Sequence, residues 1–302
     1  MNNHQDTLQR FVFENTPIRG NLVNLTQTFQ QALHQQEMPS GLRRALGELM
    51  AASAMLSATL KMRGSLVLQI QSKGLLKLLV VECTSDFDIR ATAKWSEGVT
   101  DSHNLFELVE HGQFMITLDP KDSREGGAQA YQGIVPLEGD SISAVLENYM
   151  LRSEQIDTRI WLCCDGESAA GMLIQKLPET MNQKTESQDV DTWNRIDHLA
   201  STITDDELLN LPTETLLTRL FHQEDVRLFE ASATRFYCSC TRESVSNMLR
   251  MLGNEELTSI IEELGSIEVN CEFCNTLYSF DKIDAAQLLV TETITPINPA
   301  VH

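Results

Sequence analysis

The stretch CSCTRESVSNMLRMLGNEELTSIIEELGSIEVNCEFC, residues 238–274, sets a pair of cysteines at each end of a helical insert. Cys238-Ser239-Cys240 is a CxC pair and Cys271-Glu272-Phe273-Cys274 is a CxxC pair. A zinc ion takes four ligands at tetrahedral corners, and two short-spaced pairs can supply four thiolates to one ion. Zn2+, one per chain, is therefore the expected cofactor, with Cys238, Cys240, Cys271 and Cys274 as the metal ligands. Four unrelated free cysteines rarely fall into two such pairs.

The insert reads as two helices. Thr241–Leu252 stops at Gly253, and a second helix capped by Asn254 stops at Gly265, with glycine as the stop signal in each case. Ile267–Cys271 and Asn275–Phe280 then read as a hairpin whose turn is the CxxC pair. A module of about 50 residues is too small to rely on a hydrophobic core alone. Structural zinc contributes an apparent ~10–16 kcal/mol, which in such a module is folding free energy.

The CxC spacing is the unusual one. On an extended strand, residues two apart lie about 6.6 Å apart, near the upper edge of the Cα separation a disulfide tolerates. A bridge between Cys238 and Cys240 would need a bent backbone, and strained disulfides tend to be labile or regulatory. Three readings follow. A nucleic-acid-binding zinc ribbon is disfavoured by charge, because Arg242, Arg250 and Lys282 face nine acidic residues between Cys238 and Ala286. A thioredoxin-like thiol–disulfide oxidoreductase wants its CxxC at the start of a helix, and leaves the other pair unexplained. A redox-sensing metal switch accounts for both pairs. A constitutive zinc-stabilised binding module remains the plainer alternative.

Outward from the cysteines, the 302-residue chain carries a formal net charge of −20 and an apolar fraction of 42%, ordinary for a folded protein. That charge argues against nucleic acid and anionic membrane surfaces as partners. The first residues show no basic and apolar secretory pattern, and charged residues interrupt the apolar run 42–62, so a cytoplasmic location is expected. Seven cysteines in a reducing compartment read as metal-binding or redox-sensing. There is no P-loop, no glycine-rich dinucleotide fingerprint and no HExxH.

The fold class expected is α+β: an N-terminal α+β core domain, a helical linker region and a small C-terminal zinc-binding domain of two helices plus a hairpin. The expected borders are 1–178 for the core, 179–231 for the linker, 232–287 for the zinc module and 288–302 for a flexible tail. Helical periodicity is read at Leu22–Gln36 and Leu42–Met62, with Ser40 as N-cap of the second. Strands are read at Ser65–Gln71, Leu75–Val81, Asp88–Lys94, Phe114–Leu118, Tyr131–Leu137 and Thr158–Cys164, with a helix over Ser141–Ser153. Short amphipathic helices are expected from Val190 to Phe229, and Thr204-Asp205-Asp206-Glu207 fits a capping box. Their apolar residues are too few for an independent core, so they must dock on something or be marginally ordered. Cys83 reads as core, and the neighbours Cys163 and Cys164 should point to opposite faces of their strand. The Gly166–Gly171 stretch only superficially resembles a hydrolase elbow, because its spacing is GxSxxG.

With these residues in view, the chain resembles the bacterial heat-shock protein 33 family, a group of redox-regulated holdase chaperones. The likeness rests on the CxC and CxxC pairs, on Tyr131-Gln132-Gly133-Ile134-Val135 with Leu137, and on Tyr149 with Ser153-Glu154-Gln155. It also rests on Ala169–Pro178, on Gly47-Glu48-Leu49 and on Leu60-Lys61 with Gly64. The resemblance implies one zinc on the four cysteines in the reduced state, with low activity. It implies that oxidation forms Cys238–Cys240 and Cys271–Cys274 disulfides, ejects zinc and unfolds the module with its linker. It further implies a homodimer in the active state, ATP independence, unfolded client proteins as partners and no enzymatic activity.

Overall fold

The computed structural model describes residues 6–34, 36–121, 129–137, 139–178 and 191–290. The first part of the expected linker (179–190) and most of the expected tail (291–302) lie outside these residues. The chain forms two compact units, Met1–Tyr237 and Cys238–His302.

The first unit opens with strands β1 (Thr7–Phe13) and β2 (Ile18–Leu25), then helices α1 (Gln27–Leu33) and α2 (Ser40–Ser57). Strands β3 (Gly64–Gln71), β4 (Leu76–Thr84) and β5 (Asp88–Trp95) follow, then α3 (Leu105–Leu108), β6 (Gln113–Pro120), β7 (Tyr131–Pro136) and α4 (Ile142–Tyr149). Strands β8 (Asp157–Cys164) and β9 (Ala169–Lys176) lead to α5 (Thr192–Ala200), α6 (Asp205–Asn210) and α7 (Thr213–Phe221). Short strands β10 (Val226–Leu228), β11 (Ser232–Ala233) and β12 (Arg235–Phe236) close the unit.

Two sheets result. One runs β10-β1-β2-β9-β8 with β11 on β1, and the other runs β12-β5-β4-β3-β6-β7. Pairing is antiparallel except where β12 joins β5, so the architecture is α+β, as expected.

Helix α2 lies between the sheets. Leu42, Leu46, Leu49 and Met50 of α2 share a core with Val23, Leu25 and Leu173 of the first sheet and Leu66, Leu68, Leu79 and Val81 of the second. A helix buried on nearly every side cannot carry large residues all round. Ala45, Ala51, Ala52 and Ala54 supply the close approach. At Gly47 a Cβ would stand 2.5 Å from Cys164 Sγ and 2.8 Å from the Phe29 ring. Ser40 does not cap this helix; Pro39 holds the cap position, and Asp101 Oδ1 accepts the Ser40 N–H at 2.7 Å.

The helix expected over Leu22–Gln36 begins as strand β2, and only Gln27–Leu33 is helical. The cause is burial of both faces. Val23 and Leu25 join the α2 core, whereas Ile18 and Leu22 join a second core on the other side of the sheet. A strand covered on both faces loses the apolar–polar alternation that identifies it. Two strands therefore precede the first helix, contrary to the expected order. Strand β9, buried from Ala169 to Gln175, escapes the alternation pattern for the same reason.

Helices α5–α7 form that second core. Ile196, Leu208, Leu216, Leu217, Leu220 and Phe221 pack on Phe11, Phe13, Ile18, Met172 and Ile174 of the first sheet. The Phe13 and Phe221 rings meet edge to face at 4.9 Å. The expected capping box is present: Thr204 Oγ1 accepts the Glu207 N–H, and Glu207 accepts the Thr204 N–H. Residues 232–236, expected to begin the zinc module, instead pair with the first unit as β11 on β1 and β12 on β5. The compact-unit border consequently falls at Cys238.

The second unit contains α8 (Arg242–Arg250), α9 (Asn254–Leu264), the hairpin β13 (Ile267–Asn270) and β14 (Leu277–Phe280), and α10 (Lys282–Val290). Thr241 caps α8 through its side chain, and Gly265 ends α9 in the left-handed region at φ 80°. Asn254 is the first residue of α9, with Gly253 at the cap position. Helix α10 is a third helix, absent from the expected two helices plus hairpin, and it runs past the expected border at residue 287. Its Leu288 joins Val245, Leu249, Leu257, Ile267 and Phe280 in a small buried core.

Glu48, on α2, has its carboxyl pushed up to about 7 by burial and by the nearby Asp205, with Arg44 partly offsetting. Its ordinary value is 4.5, so the folded state holds the proton more tightly than the unfolded chain. The stability this lends is complete below the ordinary value and is lost as pH rises through about 7. Glu48→Gln is expected to stabilise the protein at pH 8 by on the order of 2 kcal/mol, with little change at pH 4. Denaturant unfolding at the two pH values measures the difference.

Candidate metal centre

The two cysteine pairs are presented by different elements. Cys238 and Cys240 lie on the irregular segment just before α8, and Cys271 and Cys274 lie in the turn between β13 and β14. That turn is closed by Asn275, whose N–H bonds the Cys271 carbonyl at 2.7 Å, and by the Cys271 N–H to the Thr276 carbonyl at 3.0 Å. Asn275 takes a positive φ of 53°, a conformation that asparagine tolerates better than most residues.

The four sulfurs converge. Cys238 Sγ and Cys271 Sγ are 3.6 Å apart, Cys240 Sγ and Cys274 Sγ are 3.3 Å apart, and all four lie within 4.8 Å of one another. Zinc–sulfur bonds of about 2.3 Å at tetrahedral corners place sulfurs about 3.8 Å apart. The donor set can therefore hold a metal ion and is compatible with zinc. All four side chains are partly exposed.

Electrostatics point the same way. Burial, with the neighbouring sulfurs, pushes the Cys238 thiol up to about 12, and Cys240 is pushed up as well, chiefly by burial. Burial also raises Cys274, but hydrogen bonds from the Thr276 side chain and backbone, with the neighbouring thiols, outweigh it and bring Cys274 down to about 7. Four thiols this close cannot all ionise beside one another unaided. A divalent cation at their centre supplies the missing charge, so metal binding releases protons.

Two hydroxyl groups reach the cluster from the strand side of the turn. The Tyr278 hydroxyl donates to Cys240 Sγ at 3.2 Å, and Thr276 Oγ1 lies 3.1 Å from Cys274 Sγ. Sequence reasoning singled out neither residue. The signal available was the two-residue spacing of Cys274, Thr276 and Tyr278, which sets the two hydroxyls on one face of the chain leaving the turn.

The remaining cysteines are elsewhere. Cys83, Cys163 and Cys164 are buried, and burial pushes each up to about 12. Cys164 belongs to the α2 core and Cys163 to the α5–α7 core, so the neighbours do face opposite sides of β8. Ser168 is a turn residue before β9: its N–H and that of Glu167 both bond Asp165 Oδ1 at 2.8 Å. The CxxC pair opens no helix, in contrast to the geometry expected of a thioredoxin-like site. Among the described residues no helix is long and apolar enough to cross a membrane.

Known proteins place this arrangement. A family profile described as Hsp33 protein matches residues 6–281. The 33 kDa chaperonin of Methylobacillus flagellatus is 57% identical over 98% of this chain and 99% of its own. That of Chromobacterium violaceum is 47% identical over 99% of each chain. In structure, the chain is similar to the 33 kDa chaperonin of Thermotoga maritima, with a TM-score of 0.80 over 97% of this chain and 100% of that one. At 19% identity that likeness speaks for the fold, while the closer relatives are named as chaperones and not as enzymes. The chain belongs to the Hsp33 family and is a chaperone.

Proposed function

We propose that this chain is a redox-regulated, ATP-independent holdase that binds unfolding proteins and keeps them from aggregating under oxidative stress. In the reduced state one zinc ion is held by Cys238, Cys240, Cys271 and Cys274. Oxidation forms the Cys238–Cys240 and Cys271–Cys274 disulfides and releases the metal. The observation that carries the reading is the pairing of the four-sulfur cluster with a unit whose buried core is small. Coordination worth an apparent ~10–16 kcal/mol dominates the stability of such a unit, so removing the metal unfolds it.

Unfolding then reaches the client surface through the chain itself. Only Tyr237 separates Cys238 from β12, and β12 follows the docked helices α5–α7. Those helices cover Phe11, Phe13, Met172 and Ile174 of the first sheet. Their release bares an apolar sheet face suited to unfolded polypeptide. The active form is a homodimer, the protein works in the cytoplasm, and neither nucleic acid nor membrane is a partner. The net charge of −20 supports the last point.

Cys271→Ser removes one of four donors, so metal per chain in purified protein, measured by elemental analysis, is expected to fall well below one. Retention of one tightly held zinc would refute the ligand set. Peroxide with mild heat is expected to convert zinc-loaded protein from a weak to a strong suppressor of client aggregation, followed by light scattering. Equal suppression by reduced and oxidised protein would leave a constitutive binding protein as the answer.

A further inference from the structure

Each short-spaced pair has one sulfur within reach of a hydroxyl: Cys240 with Tyr278 and Cys274 with Thr276. These contacts add no ligand to the metal. As a thiolate, each sulfur is an acceptor only, so the hydroxyl must be the donor. An O–H···S⁻ bond draws on the lone pair that would attack an oxidant. Charge leaves the sulfur in that attack, so the bond is stronger before the reaction than at its transition state and slows it.

We propose that Tyr278 and Thr276 are positioning residues that set the oxidation threshold of the cysteine cluster by hydrogen-bonding one thiolate of each pair. The inference rests on the oxidative reading given above. The oxidant is a hydroperoxide. Thiolate sulfur attacks the O–O bond, giving a sulfenic acid and hydroxide, with the sulfur losing two electrons and the peroxide gaining them. A neighbouring thiolate then attacks the sulfenic sulfur, an S–S bond forms and a second hydroxide leaves.

The two hydroxyls hold their places for different reasons. Tyr278 sits on β14 opposite Val269, and its ring packs against the small core of the second unit. The ring therefore fixes the position of its hydroxyl. Thr276 is exposed, and its carbonyl closes the turn by accepting the Cys271 N–H. Tyr278→Phe keeps the ring and Thr276→Val keeps the backbone, so each variant removes only the donor.

The test follows zinc release from full-length protein into a chromophoric chelator at several hydrogen peroxide concentrations. The intercept at zero peroxide reports loosening of the site, and the slope reports thiolate reactivity. Tyr278→Phe and Thr276→Val are each expected to raise the slope about three- to tenfold with the intercept unchanged. Thr276→Ser, which restores the hydroxyl, is expected to return the slope to that of the unaltered protein. A raised intercept with an unchanged slope makes the hydroxyls purely structural and overturns the proposal. So does a finite slope that is the same in all variants. A zero slope in the unaltered protein overturns the oxidative reading itself, and this inference with it.

Discussion

Burial of α2 between two sheets is the constraint on which the first unit depends. A helix with sheets on both sides must approach them closely, and the alanine-rich sequence with Gly47 permits that approach. Once α2 occupies one face of the β1-β2-β9-β8 sheet, the opposite face, with Phe11, Phe13 and Ile174, still needs cover. Exposed, it would be a large apolar patch of the kind monomeric proteins seldom tolerate. Helices α5–α7 supply the cover. They are short, and they attach by one apolar face, while α2 is held on nearly all sides.

The two units are stabilised by different physics. The first buries an extensive apolar core, each fully buried large side chain contributing about 1.5–3 kcal/mol. Among the described residues, the second has seven buried apolar residues and a convergence of four sulfurs. Heat acts on both kinds of stabilisation. Under the function proposed above, an oxidant acts on the clustered sulfurs, while the thiols of the first unit are buried and held protonated.

Local chemistry was legible in the sequence, and tertiary context was not. The cysteine pairs could be read because ligand spacing is a local property, and so could the Thr204 capping box and the Gly265 stop. Strand β2 could not, since its burial on both faces depends on two layers brought in from elsewhere in the chain. Pro39 holds the cap position of α2, and the first N–H of the helix goes to Asp101, far away in sequence, so Ser40 misled. The strands after residue 231 are too short for any periodicity and take their form from the edges they join. The spacing of Thr276 and Tyr278 after Cys274 was a faint signal, because hydroxyls after a CxxC acquire meaning only when the hairpin turns them onto sulfur.

Cys163 and Cys164 are neighbours in sequence, yet they sit in separate hydrophobic layers. Cys164 lies beneath α2, whereas Cys163 is 3.8 Å from the Asp205 carbonyl at the start of α6. Departure of α6 would open one thiol to solvent and leave its neighbour sealed, whereas collapse of the whole unit would open both. The protein thus has a built-in two-channel reporter, one peptide bond wide, whose labelling pattern separates a lifted cover from a melted core.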